Sequence, residues 1–85
     1  MPTKKALVSK LTAKPLPWNF TVKDLDALMA KCNCEKYQGG RGSGIGYRHI
    51  PTGRALQFDM PHPGKELYLY QVKAVIAFLN DLKEI

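Results

Sequence analysis

Apolar residues recur along this chain with two different periods. Val22, Leu25, Leu28, Met29 and Cys32 return every three or four positions, which predicts a helix over about residues 22–31 with one buried face. Thr21 is placed as its N-cap, and Asp24, three residues on, completes a capping-box-like pair. Phe20 and Leu25 have the spacing of a hydrophobic staple across that helix start. A second stripe, Val72, Val75, Ile76, Leu79 and Leu82, predicts a helix that opens near Tyr68 or Leu69.

Between the two helices the period falls to two. Three short extended runs are read at 34–38, 45–49 and 54–60. Glycines at 39, 40 and 42 join the first to the second, and Pro51, Thr52 and Gly53 form a tight reversal before the third. Alternation places Ile45, Tyr47 and His49 on one face of the middle run and Gly46 and Arg48 on the other. In the third, Leu56, Phe58 and Met60 oppose Ala55, Gln57 and Asp59. Ahead of all this, residues 1–17 form a basic segment. Leu7, Val8 and Leu11 predict one or two loosely packed helical turns within 4–13, stopped by Pro15 and Pro17. Residues 18–85 then make one α-β-β-β-α domain. Two helices that must bury a stripe, and a three-stranded antiparallel sheet to receive them, imply an α+β sandwich with both helices on one sheet face.

Size and charge narrow the function classes. Eighty-five residues with 45% hydrophobic content support one modest core. No run of about 18 apolar residues is present to span a membrane, and the 6–8 run is too short for a signal-peptide core. A soluble, cytoplasmic protein with no membrane partner is expected. Residues 1–58 carry ten Lys/Arg against three Asp/Glu, or +7; residues 59–85 carry three against four, or −1, and together these give the net +6. With a pI near 9.5, the leading partner is a polyanion. Cys32 and Cys34 lack a second pair at zinc-ligand spacing and read as small buried hydrophobes. No metal or other cofactor is expected.

The stretch 42–66 concentrates the candidate chemistry. Arg41, Arg48, Arg54 and Lys65 are candidate phosphate contacts, each with the alternative of a plain surface charge. Tyr47 is a candidate to stack on a base, with a core or interface role as the equal alternative. His49 and His62 are the only imidazoles, and imidazole suits proton transfer because its unperturbed pKa lies near ~6.5. Each also has a plainer reading, His49 as a packed strand residue and His62, between two prolines, as a fixed bend.

The element order, Gly42-Ser43 before the middle strand, and the run Pro61-His62-Pro63-Gly64-Lys65-Glu66-Leu67 followed by Gln71-Val72-Lys73 resemble the HicA-type toxins over residues 20–82. These are mRNA interferases of toxin–antitoxin pairs with a fold like a double-stranded-RNA-binding domain. The resemblance implies a metal-independent endoribonuclease that binds mRNA, with Ser43 at the RNA. It also implies a HicB-type antitoxin covering the RNA surface, and a toxin that is monomeric within the complex. The family pattern is Gly-Ser-His, with the histidine catalytic; here the third position is Gly44, which has no group to move a proton. Weak or absent cleavage is therefore expected. A non-catalytic RNA-binding domain and a protein-interaction module are the alternative readings.

Overall fold

A computed structural model of the chain describes residues 3–38, 44–59 and 64–85. Three helices, α1 (Lys4–Leu11), α2 (Val22–Lys31) and α3 (Leu69–Asp81), frame three strands, β1 (Cys34–Gln38), β2 (Gly44–His49) and β3 (Ala55–Asp59). The strands form one antiparallel sheet with β2 in the centre. Its register pairs Cys34 with His49 and Tyr37 with Gly46 on one side of β2, and Gly44 with Asp59 and Arg48 with Ala55 on the other. The class is α+β, as the alternation implied.

The start of α2 is set by its own residues. The Thr21 hydroxyl accepts from the Asp24 amide at 3.1 Å, and the Asp24 carboxylate accepts from the Thr21 amide at 3.2 Å. Two helix-end donors are thereby satisfied, an arrangement worth about 1 kcal/mol. Phe20 and Leu25, the staple pair, are both fully buried. Asn33 ends the helix in the left-handed region at φ 62°, and its carbonyl then accepts from the Ile50 amide at 2.9 Å. The hairpin between β2 and β3 turns at Gly53, whose φ of 75° suits a residue without Cβ. The Gly53 amide donates to His49 O at 2.7 Å, closing that turn.

One sheet face carries Ile45, Tyr47 and His49 against the helices, and all three are buried. The other carries Glu35, Gly44, Arg48, Gln57 and Asp59. Arg48 and the outward residues of β3 are exposed there. Leu25, Leu28 and Met29 of α2 and Val72, Val75 and Leu79 of α3 meet the inner face in a single core. Each such side chain contributes about 1.5–3 kcal/mol by leaving water.

Three features depart from the sequence expectation. First, α1 is not a loose appendage: Leu7 and Leu11 are buried in the same core as the sheet and helices. Lys10 also pairs with Asp24 at 2.9 Å, and Lys4 with Glu84 at 3.2 Å. Second, α3 buries Phe78 and Gln71 in addition to the expected stripe, while Ile76 and Leu82 are only partly covered. Gln71 is tolerated inside because both ends are bonded. Its Nε2 donates to Asp59 O at 2.9 Å, and its Oε1 accepts from the Tyr68 amide at 3.0 Å. Third, β3 begins at Ala55, one residue later than expected; Met60, expected as its last residue, lies outside the described residues.

Beyond α3 the chain turns back on itself. Lys83 takes φ 60°, the Glu84 amide donates to Leu79 O and the Lys83 amide to Asn80 O, both at 3.0 Å. This is a Schellman turn, and it brings Glu84 back onto the sheet. There the Glu84 carboxylate meets His49 Nε2 at 2.8 Å and Asn33 Nδ2 at 3.3 Å as well as Lys4. The chain end is thus tied to α1, to the α2 exit and to β2 at once.

Candidate functional site

The segment Gly64–Leu67 runs antiparallel to the chain entering α2. The Val22 amide donates to Lys65 O at 2.9 Å, the Leu67 amide to Phe20 O at 2.8 Å, and Thr21 bridges Glu66. Beside this pairing opens a cleft of about 520 Å³ lined by Thr21, Val22, Lys23, Asp26, Gly64 and Lys65. That size falls within the range of small-ligand pockets. Lys23 and Asp26 are one helical turn apart on α2, so they face the same side.

Asp26 is held in place. Its Oδ1 accepts from the Tyr47 hydroxyl at 2.6 Å and lies 3.1 Å from Lys36 Nζ, which also reaches Oδ2 at 3.2 Å. Tyr47 is the rigid member of this group, because its ring is 1% exposed in the core. Burial, and then the hydrogen bond to Asp26, push its phenol well above the ordinary tyrosine value. It therefore stays protonated and keeps donating.

Of the residues singled out from the sequence, the structure brings Lys65 to this cleft. Tyr47 touches it only through its hydroxyl on Asp26; its ring is buried and has no face open to a base. His49 is 3% exposed, with Nδ1 2.9 Å from the Thr52 hydroxyl and Nε2 on Glu84. Both ring nitrogens are engaged, so in this conformation the imidazole is a packed strand residue that reaches no substrate. Glu84 is held below the ordinary glutamate value, first by the His49 hydrogen bond and, against the effect of burial, by Asn33 and Lys4.

Gly44 and Arg48 stand apart from the cleft, on the outer sheet face. Arg48 donates to Glu35 across the strand pair, through Nε at 3.0 Å and through its terminal nitrogen. Gly44 lies directly opposite Asp59 in the β2–β3 register. A side chain at 44 would therefore have its Cβ about 5 Å from that of Asp59. Arg54 is exposed just after the hairpin turn, 3.6 Å from Asp81. Arg41, Ser43 and His62 lie outside the described residues.

Charge pairing decides which cations remain available. Among the described residues, Lys4, Lys10, Lys36, Arg48 and Arg54 have carboxylate partners. Lys5, Lys14, Lys23, Lys31, Lys65, Lys73 and Lys83 have none, so the surplus positive charge rests on lysines. Of the four arginine and lysine candidates, Arg48 and Arg54 are thus paired away from the cleft, and Lys65 lines it. Residue type alone favours arginine over lysine as a phosphate contact and so passes over Lys23. The signal for Lys23 and Asp26 is present in the helical period, just off the apolar stripe. The Asp26–Tyr47 contact joins residues 21 apart and has no sequence signal.

The remaining chemistry is sparse. No group of three or more His, Cys, Asp and Glu able to hold a metal occurs among the described residues. Cys32 and Cys34 are buried free thiols, and burial pushes Cys34 up to about 11, so it is no nucleophile near neutral pH. No helix among the described residues is long and apolar enough to cross a membrane. Trp18, Leu69 and Tyr70 are exposed at 77%, 53% and 63%. They lie within three residues in the chain of the paired Phe20 and Leu67. Tyr70 stacks with Tyr68 at a ring separation of 5.9 Å. Compared with known proteins, the chain matches no family model, no curated protein and no solved structure.

Proposed function

We propose that this chain is an RNA-binding toxin of the HicA type whose catalytic power is reduced or lost. The observation that carries the reading is a net charge of +6 on a small α+β unit, with seven described lysines outside any ion pair, set beside a formed cleft that contains Lys23 and Lys65. Such charge binds a phosphate backbone by counterion release. The order from α2 to α3 is compatible with a double-stranded-RNA-binding-domain-like arrangement, with the helices on one sheet face and the other face open.

Metal-free RNA cleavage needs a base for the ribose 2′-hydroxyl and an acid for the departing 5′-oxygen. Gly44 supplies neither, and His49 is sequestered by Glu84 and Thr52. A missing general acid or base costs about 10²–10⁴ in rate, or about 3–5 kcal/mol at ~1.36 kcal/mol per tenfold. Binding rests on the lysines and is unaffected. Gly44→His would place an imidazole opposite the Asp59 carboxylate, a partner suited to orienting it.

The cytoplasmic partner in this reading is a HicB-type antitoxin that covers the cationic surface of a single toxin copy. The exposed Trp18, Leu69 and Tyr70 are groups that a protein partner would bury. The test pairs gel shift with cleavage of an mRNA fragment by the chain and by Gly44→His. Equal RNA affinity with at least a hundredfold faster cleavage by the variant is expected, roughly the lower end of what a general acid or base supplies. Equal cleavage by the two would refute the role given to position 44, and absence of RNA binding would refute the reading as a whole.

A further inference from the structure

Lys65 and Lys23 would suffice to hold phosphate, but they do not explain why a fixed carboxylate shares their cleft. Asp26 is a repulsive element in a plain phosphate site. Its orientation is nonetheless enforced by the Tyr47 hydroxyl at 2.6 Å, projecting from the core, and by Lys36. A carboxylate has about four lone-pair positions. Tyr47 occupies one on Oδ1 and Lys36 one on Oδ2, while Lys36 Nζ lies within ion-pair distance of Oδ1 at 3.1 Å. One acceptor position on Oδ2 is therefore left for a ligand.

The walls fit a flat, mostly apolar body. The Thr21 hydroxyl is engaged with the Asp24 amide, so Thr21, Val22 and Gly64 offer the cleft mainly hydrocarbon and backbone. The volume of about 520 Å³ accommodates one nucleoside. An apolar slot, one fixed acceptor and two cations make a site for a splayed-out base between two phosphates. The acceptor selects among bases. Cytosine, adenine and guanine carry an exocyclic amino group that can donate to Oδ2. The one Watson–Crick donor of uracil lies between two carbonyl oxygens that would face the carboxylate.

We propose that the cleft between the start of α2 and residues 64–65 receives an unpaired nucleobase bearing an exocyclic amino group. Asp26 accepts its N–H, and Lys23 and Lys65 hold the flanking phosphates. This deepens the RNA-binding reading and rests on it: the substrate is single-stranded at the cleft, and one base of it is read.

Cytosine and uracil give the cleanest contrast, because they share size and weak stacking. The full chain is titrated by fluorescence anisotropy against labelled eight-nucleotide oligo(C) and oligo(U) RNA at one salt concentration. Wild type is expected to bind oligo(C) about tenfold more tightly, the range of one hydrogen bond to a charged group. Asp26→Asn still accepts from Tyr47 but turns an N–H toward the base, so the preference should vanish or reverse while oligo(U) affinity holds or rises. Lys65→Ala should weaken both RNAs alike and lower the salt slope by about 0.7. Amide shifts on adding oligo(C) should centre on Val22, Lys23, Asp26 and Lys65. Equal binding of oligo(C) and oligo(U) by wild type overturns the cleft assignment and leaves RNA binding standing. So does a preference that survives in Asp26→Asn, or shifts confined to the patch around Trp18 and Tyr70. Failure to bind either RNA removes both readings together.

Discussion

Replacing Glu84 by Ala should unfold the protein far more readily than its place near the chain end suggests. The carboxylate receives one short bond from His49 Nε2 at 2.8 Å and longer ones from Lys4 at 3.2 Å and Asn33 at 3.3 Å. The last two involve partly exposed partners and contribute little, about 0–1 kcal/mol together. The His49 bond is different, because the imidazole is 3% exposed and Glu84 is the protein acceptor at its Nε2. A bond to a charged group contributes about 1.5–3 kcal/mol, and a stranded buried donor adds to the penalty. The expected loss is therefore about 2–4 kcal/mol for Glu84→Ala. Glu84→Gln keeps an acceptor and should lose about 1 kcal/mol.

Urea unfolding at pH 7, followed by circular dichroism, reads this directly. The midpoint should fall by about 1–3 M for Glu84→Ala at unchanged m-value. The pH dependence carries a second check. The folded-state pKa of Glu84 is depressed, so its contribution is fully present above the ordinary value of about 4.5 and is lost as pH falls through the lower folded value. The gap between wild type and Glu84→Gln should close over that acid window. A Glu84→Ala midpoint within about 0.3 M of wild type, roughly the ~0.5 kcal/mol of an ordinary surface change, would refute the tie between chain end and sheet.

Packing gives three further expected outcomes. Leu11→Ala should cost about 2–4 kcal/mol in the same urea assay, since Leu11 is fully buried; a cost near zero would mean that α1 is not part of the core. Gly46→Ala should lower thermal stability by about 1–3 kcal/mol, because its Cβ would fall 2.7 Å from Tyr37 Cε2 across the β1–β2 pair. A Gly46→Ala, Tyr37→Ala double variant should recover part of that loss. Cys32 and Cys34 should react with a thiol reagent at pH 8 only as fast as the protein opens, whereas rapid labelling of the native state would contradict their burial.

Local signals in the chain carry most of the architecture. The Thr21–Asp24 pair, the Phe20–Leu25 staple and the Pro51–Gly53 reversal are decided within a few residues, and all appear in the structure. The faces of β2 are as legible, because a period of two leaves no freedom once Ile45 and Tyr47 are buried. Contacts between distant residues are not legible. Gln71 looks like a solvent residue until its partners, the Asp59 carbonyl and the Tyr68 amide, are placed. Leu7 and Leu11 look marginal because a short basic helix cannot show by itself what it packs on. The site divides in the same way. Lys65 is found by its motif, whereas Asp26 needs the 21-residue contact to Tyr47, and His49 needs the 35-residue contact to Glu84.

The central claim is that this cationic surface grips RNA, and its most direct measurement is filter retention of a labelled single-stranded mRNA fragment by the purified chain, from about 50 to 300 mM salt. Retention is predicted at the lowest salt, with log affinity falling linearly against log salt at about 0.7 per phosphate contact. With Lys23, Lys65 and neighbouring lysines engaged, the slope should lie at about −2 to −4. No retention at about 50 mM salt, or an affinity indifferent to salt, would contradict that claim.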